Sequence, residues 1–159
     1  MLIFSLLLCP LKLFALETEA YAPDFNVITE NSHYITLSQF QGNVVYLDFW
    51  ASWCSPCKKS LPWMDKIQKK YAQQGLVILA LNLDTKKKDA NKLLASKDYS
   101  FQVAYDPKGE TAEMYSLNTM PSSYLIDRNG KLKKVFKGFN ESDKDQIEQE
   151  IQNLLSQEK

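Results

Sequence analysis

The chain is 159 residues long, 45% hydrophobic and 24% charged, with 19 basic residues set against 19 acidic ones. That apolar share fills one core and excludes general disorder, and a net charge of zero supplies no field that would gather nucleic acid. Three cysteines are too few for a disulfide-stapled scaffold or a four-cysteine zinc site, so they divide into a pair and a remainder.

Residues Leu2 to Leu16 are apolar except for Ser5, Pro10 and Lys12, a run shorter than the ~20 residues of a membrane span and broken by proline. It reads as a signal peptide over residues 1–15 cleaved after Ala15, with cleavage after Ala20 or an uncleaved anchor as the other readings. Cys9 leaves with this leader. The mature chain then keeps two cysteines in an oxidising compartment, periplasmic or otherwise outside the cytoplasm. One domain is expected over residues 22–159.

Phe25 and Val27, then Tyr34-Ile35-Thr36-Leu37, flank Glu30-Asn31-Ser32 as a β-hairpin that pads one edge of that domain. Val44 to Trp50 is a nearly continuous apolar run, suited to a strand buried on both faces, and Asp48 is its only charge. A helix follows from about Cys54 to Gln73, with Leu61, Met64, Ile67 and Tyr71 as its stripe, Gly75 as its stop and a kink expected at Pro62. Leu76 to Leu83 reads as a second buried strand, and Lys88 to Lys97 as a helix with Leu93 and Leu94 facing inward. Phe101 to Ala104 is a short strand and Glu110 to Tyr115 a brief helix. Ser122 to Asp127 and Lys131 to Phe136 surround Asn129-Gly130, a hairpin signal that makes these two strands antiparallel. Ser142 or Asp143 caps a last helix whose stripe is Ile147, Ile151, Leu154 and Leu155. Strands and helices in alternation make this an α/β chain with a parallel core.

The chemistry concentrates at Trp53-Cys54-Ser55-Pro56-Cys57. Two cysteines separated by two residues at a strand-to-helix junction place the first at the helix N-terminus, where free N–H groups and the dipole favour a thiolate. Cys54 is therefore the attacking sulfur. Cys57, one turn on, is the more shielded and resolves the mixed disulfide. No metal site is expected, since the only histidine, His33, lies in the hairpin turn and reads as a surface residue. A static disulfide closing so short a loop adds little stability. The clusters Lys86-Lys87-Lys88 and Lys131 to Lys137 read as solvated faces, and the tyrosines and phenylalanines as core.

Asp48-Phe49-Trp50-Ala51-Ser52-Trp53-Cys54-Ser55-Pro56-Cys57-Lys58, Pro62, and Met120-Pro121 far downstream together resemble the thioredoxin superfamily. The leader, the Ala22-Pro23-Asp24-Phe25 lead-in, the early hairpin and the helical insert around Asp84 to Lys97 resemble its TlpA/ResA-like thiol-disulfide oxidoreductases, over about residues 22–156. The resemblance implies a thioredoxin fold: a central mixed β-sheet flanked by helices, with an extra N-terminal hairpin and an inserted helical segment. It implies Cys54 as exposed nucleophile, Cys57 as buried resolving thiol and Pro121 as a cis-proline facing the pair. Trp53, Ser55, Pro56, Met120 and Pro121 would form the substrate-docking surface, with no cofactor.

Asp48 is costly in an apolar strand unless paired or protonated, and burial raises its pKa. Its position matches the buried aspartate of cytoplasmic-type thioredoxins, which implies a general base acting on Cys57 through a water; a solvated strand-edge carboxylate is the plainer reading. Ser60 stands where cytochrome-c-maturation members commonly carry glutamate, which weakens that specialised role. Ser55-Pro56 agrees with a reducing member. The expected function is reduction of protein disulfides outside the cytoplasm by a monomer re-reduced by a membrane-embedded thiol donor. A disulfide-forming oxidant and a non-enzymatic metal-handling module are the alternatives.

Overall fold

The computed structural model describes residues 20–157, so the leader up to residue 19, Cys9 included, lies outside the described residues. β1 (Asn26–Thr29) and β2 (Tyr34–Thr36) pair antiparallel with buried Val27 opposite buried Ile35, while Ile28 of β1 leans on the core of the other face. A 3₁₀ turn over Leu37–Phe40 leads to β3 (Val44–Trp50), in which every residue is buried. The helix α1 (Ser55–Tyr71) runs through Pro62 and buries Leu61, Met64, Ile67 and Tyr71. It closes in a 3₁₀ turn and a left-handed Gly75. Then come β4 (Leu76–Asn82), α2 (Lys87–Leu94), β5 (Gln102–Tyr105), α3 (Glu110–Met114), β6 (Ser122–Ile126), β7 (Leu132–Lys137) and α4 (Lys144–Ser156).

The strands form one seven-stranded sheet in the order β2-β1-β5-β4-β3-β6-β7. β3, β4 and β5 are parallel, joined by helical crossovers, while the hairpins at both ends add antiparallel strands. The parallel core expected from the alternation is thus the centre of a mixed sheet. The even-numbered side chains Val44, Tyr46 and Trp50 of β3 share one core with α1, α4 and Ala90 of α2. Its odd-numbered Val45, Leu47 and Phe49 share the other with the N-terminal hairpin, Ala112 of α3 and Tyr115.

Several local expectations are corrected. α2 ends at Leu94 instead of Lys97, and its buried residue is Ala90; Leu93 and Leu94 only lean on the core. Lys87 is half-buried instead of fully solvated. Its Nζ donates to Thr29 O (3.1 Å) and Glu30 O (2.9 Å) where β1 ends, and lies 4.5 Å from the Tyr105 ring centre, because the carbonyls there have left their strand ladder. Tyr21 and Tyr34 are exposed, unlike the other tyrosines. Asp127 organises the β6–β7 turn: its carboxylate accepts from Asn129 N and Lys131 N, both at 2.9 Å, with Gly130 left-handed. Asp143 stands at the α4 cap position, yet its side chain turns back to accept from Asn140 N (3.2 Å), so Asn140 and Asp143 close a capping box one turn earlier.

Arg128 bolts the end of the sheet where β3 begins. Its guanidinium donates to Gly42 O (2.9 Å), Gln74 O (3.0 Å) and Leu155 O (3.2 Å). Gly75 has a φ of +93°, and a Cβ there would come within 2.7 Å of Arg128 Nη1. Gly75→Ala is expected to cost roughly 1–2 kcal/mol from the left-handed backbone alone, and more as Arg128 is displaced; a urea unfolding midpoint unchanged from the parent would contradict this.

Candidate active site

β3 runs out at Trp50, whose carbonyl accepts from Leu83 N at 2.9 Å, and the chain turns through Ala51-Ser52-Trp53 with Cys54 N donating to Ala51 O at 3.1 Å. Cys54 is the N-cap of α1, in extended conformation, and its Sγ accepts from Cys57 N at 3.3 Å. Pro56 lies in the first turn, where a missing N–H leaves no bond unmade. Cys54 and Cys57 form a disulfide with Cα atoms 5.3 Å apart, within the span such a bridge needs.

Cys57 is fully buried, as expected, but Cys54 is only 5% exposed, which corrects the expectation of an open nucleophile. In the disulfide state its sulfur is drawn onto the helix by both the S–S bond and the Cys57 amide. The protruding residue is Trp53, 68% exposed, with Ser55 and Pro56 exposed beyond it. The Met120–Pro121 peptide bond is cis. Pro121 is buried, and half-buried Met120 packs on the cluster that contains both cysteines. His33 is exposed in the hairpin turn and takes no part in this site. It lines a cavity of about 620 Å³ with Asn91 and Tyr99, and neither cysteine borders that space.

Asp48 is not a solvated edge carboxylate. It sits between Ala80 of β4 and Ser123 of β6 and is 1% exposed. Ser123 Oγ donates to its Oδ1 at 2.6 Å, while Oδ2 has no partner. Burial pushes the carboxyl up to about 7, and the Ser123 hydrogen bond only partly opposes it. Strand alternation puts Asp48 on the same face as Tyr46 and Trp50, the face that α1 covers with Cys57. The Tyr46 phenol is pushed far up by burial and further by the Asp48 charge.

Sequence reasoning missed the group that holds the turn before Cys54. Asp84, buried just beyond β4, accepts from Ser52 N (3.0 Å), Ser52 Oγ (2.9 Å) and Asn82 Nδ2 (2.8 Å). Asn82 in turn accepts from Asp84 N at 3.0 Å. An apolar strand ending in Asn and Asp was the available signal, since such side chains at a buried strand end must find local donors and acceptors. Ser60, also buried, donates to Cys57 O at 2.8 Å.

A mixed sheet with a cysteine pair at the first turn of the helix after a central strand, and a cis-proline leading into the neighbouring antiparallel strand, defines a thioredoxin-fold thiol-disulfide oxidoreductase. The sequence pattern of the redoxin family matches residues 17–151, and the chain belongs to that family as a thiol-disulfide oxidoreductase of the ResA type. It is 34% identical over 139 residues to the thiol-disulfide oxidoreductase ResA of Bacillus thuringiensis subsp. konkukian, covering 87% of this chain and 79% of the relative. ResA of Bacillus subtilis is 34% identical over 117 residues, covering 74% and 65%. Among solved structures, a Chlorobium tepidum protein described as a thiol:disulfide interchange protein DsbE superposes with a TM-score of 0.83 at 48% identity, covering 86% of this chain and 96% of that one. The pneumococcal exposed lipoprotein thioredoxin Etrx1 of Streptococcus pneumoniae gives 0.71 at 36%, covering 83% and 100%.

The raised Asp48 carboxyl makes stability depend on pH. Below about 4 the carboxyl is protonated in both folded and unfolded chains, and above 7 the folded state carries the full cost of a buried charge. Stability of the oxidised protein should fall as pH rises from the ordinary value of 3.8 to about 7, by on the order of 4 kcal/mol. Urea titrations across that window should show this slope in the parent and a flatter one in Asp48→Asn.

Proposed function

We propose that this oxidoreductase reduces protein disulfides outside the cytoplasm, cycling Cys54 and Cys57 between dithiol and disulfide. The observation that carries the reading is the buried, half-satisfied carboxylate of Asp48 on the strand face that Cys57 covers. The Cys54 thiolate, held at a helix N-terminus, attacks a substrate disulfide; one substrate sulfur leaves as thiolate and the other stays bonded to Cys54. Asp48 takes the Cys57 proton through a water. Cys57 Sγ then attacks Cys54 Sγ, and the second substrate sulfur departs with the bonding electron pair. The protein is left with the Cys54–Cys57 disulfide, and a membrane-embedded thiol donor returns two electrons.

Exposed Trp53, with Ser55 and Pro56, offers the substrate an apolar landing surface, and Met120 and Pro121 supply its edge. Ser55-Pro56 between the cysteines supports the reducing direction. The location rests on the apolar leader of residues 1–15, as signal or anchor. Among the described residues no helix is long and apolar enough to cross a membrane. Protein disulfides in general are the substrate class; a cytochrome c precursor is the narrower substrate, against which Ser60 weighs by placing a hydroxyl where such members carry a carboxylate.

Cys57→Ser should trap substrates on Cys54 as mixed disulfides, and their identification decides between general reduction and cytochrome c maturation. A reduction potential near that of thioredoxin is expected; one near that of DsbA would make the protein an oxidant instead. Asp48→Asn should slow mixed-disulfide resolution by about 10²-fold at neutral pH in stopped-flow measurements, and an unchanged rate from pH 6 to 9 would remove Asp48 from proton transfer.

A further inference from the structure

A base buried in a strand needs something to orient it and to keep its charged form accessible. We propose that Ser123 is the positioning residue for Asp48, pinning carboxylate oxygen Oδ1 so that Oδ2 remains as the oxygen that receives the Cys57 proton. The inference rests on the reading of Asp48 as the base in resolution. Its geometric ground is independent of that reading: Asp48 and Ser123 are directly opposed in the β3–β6 ladder, so both side chains leave the same face of the sheet. The hydroxyl meets Oδ1 at 2.6 Å, both residues are buried, and Oδ2 is left without a partner.

The neighbouring Ser122 does something different. Its hydroxyl donates to Thr119 O at 2.8 Å and ties down the loop before Pro121, so two adjacent serines that look equivalent in sequence serve separate ends. Around Asp48, β3 contributes Tyr46 and Trp50, β4 contributes Ala80, and α1 brings Cys57 and Leu61 to the same cluster. With the disulfide closed, Tyr46 is the titratable group among these, since the Cys57 sulfur is held in the S–S bond. Burial and Ser123 are the two influences on the carboxyl, and they act in opposite directions. The Tyr46 phenol shares the same core cluster, and the Ser123 hydroxyl is directed to the stronger of the two acids, Asp48. With Ser123 removed, burial acts unopposed, the carboxyl holds its proton to higher pH, and fewer molecules carry a base able to take the proton from Cys57.

Ser123→Ala and Ser123→Thr test this in the full chain by two readouts. Carboxyl ¹³C resonances of the oxidised protein report the Asp48 titration directly. The alanine variant should move it upward by about one unit, a tenfold change in ionisation constant, and threonine, which keeps the hydroxyl, should restore it. Stopped-flow resolution should show its rising limb displaced to higher pH by the same amount in Ser123→Ala, with the rate recovered at the alkaline end. An Asp48 carboxyl that titrates at the parent pH in Ser123→Ala overturns the role of Ser123 whatever the kinetics. A resolution profile unchanged in Asp48→Asn overturns instead the base reading, and the carboxyl titration still reports on Ser123 separately.

Discussion

Strand β3 has no side open to water. Its faces are covered by two cores, and both edges are occupied, β4 running parallel along one and β6 antiparallel along the other. Any polar group on it must be satisfied by what the sheet and α1 provide or by an enclosed water, because bulk solvent does not reach it. Asp48 therefore meets a serine across the ladder and nothing else. Trp50, two residues on, carries an indole N–H with no partner on the same face. The strand thus carries two incompletely satisfied polar groups on the face whose core also holds the disulfide.

The cysteine pair inherits its setting from the way β3 ends. The turn Ala51 to Cys54 delivers Cys54 to the cap of α1, and Asp84 holds the corner of that turn from the end of β4. β3 and β4 are adjacent and parallel, so their C-terminal ends lie side by side and their loops meet there, as open parallel sheets arrange their sites. The sulfur environment is thus set by a sheet neighbour as well as by the helix: Ser52 is fixed by a residue 32 positions away in sequence.

What could be read from the sequence divides along the same line of near and far. The buried run of β3, the cysteine spacing, the stripe of α1 and the Asn129-Gly130 turn are short-range patterns, and each forms the element it suggested. The role of Asp84 was hidden because nothing local to it names Ser52 as its partner. Lys87 looked like one of three solvated lysines, and only the placement of α2 beside the end of β1 gives it two carbonyls to satisfy. Cys54 was expected in the open because the family resemblance implies an exposed nucleophile there; the disulfide and the Cys57 amide fold its sulfur inward. The opposition of Ser123 to Asp48 is a matter of register across 75 residues, which no periodicity encodes.

The first described residues are stitched to the β6–β7 turn, with Ala22 N donating to Gly130 O and Leu132 N to Ala20 O. That turn lies at the end of the sheet where β3 starts, since Val45 pairs with Ile126, while the disulfide follows where β3 stops. Seven strand residues separate the two poles, about 20 Å at the usual rise. The disulfide and Trp53 therefore lie at the pole opposite the one where the described chain begins, so a partner can reach the cysteine pair without meeting the strand-and-turn seam formed by Ala20 and Ala22.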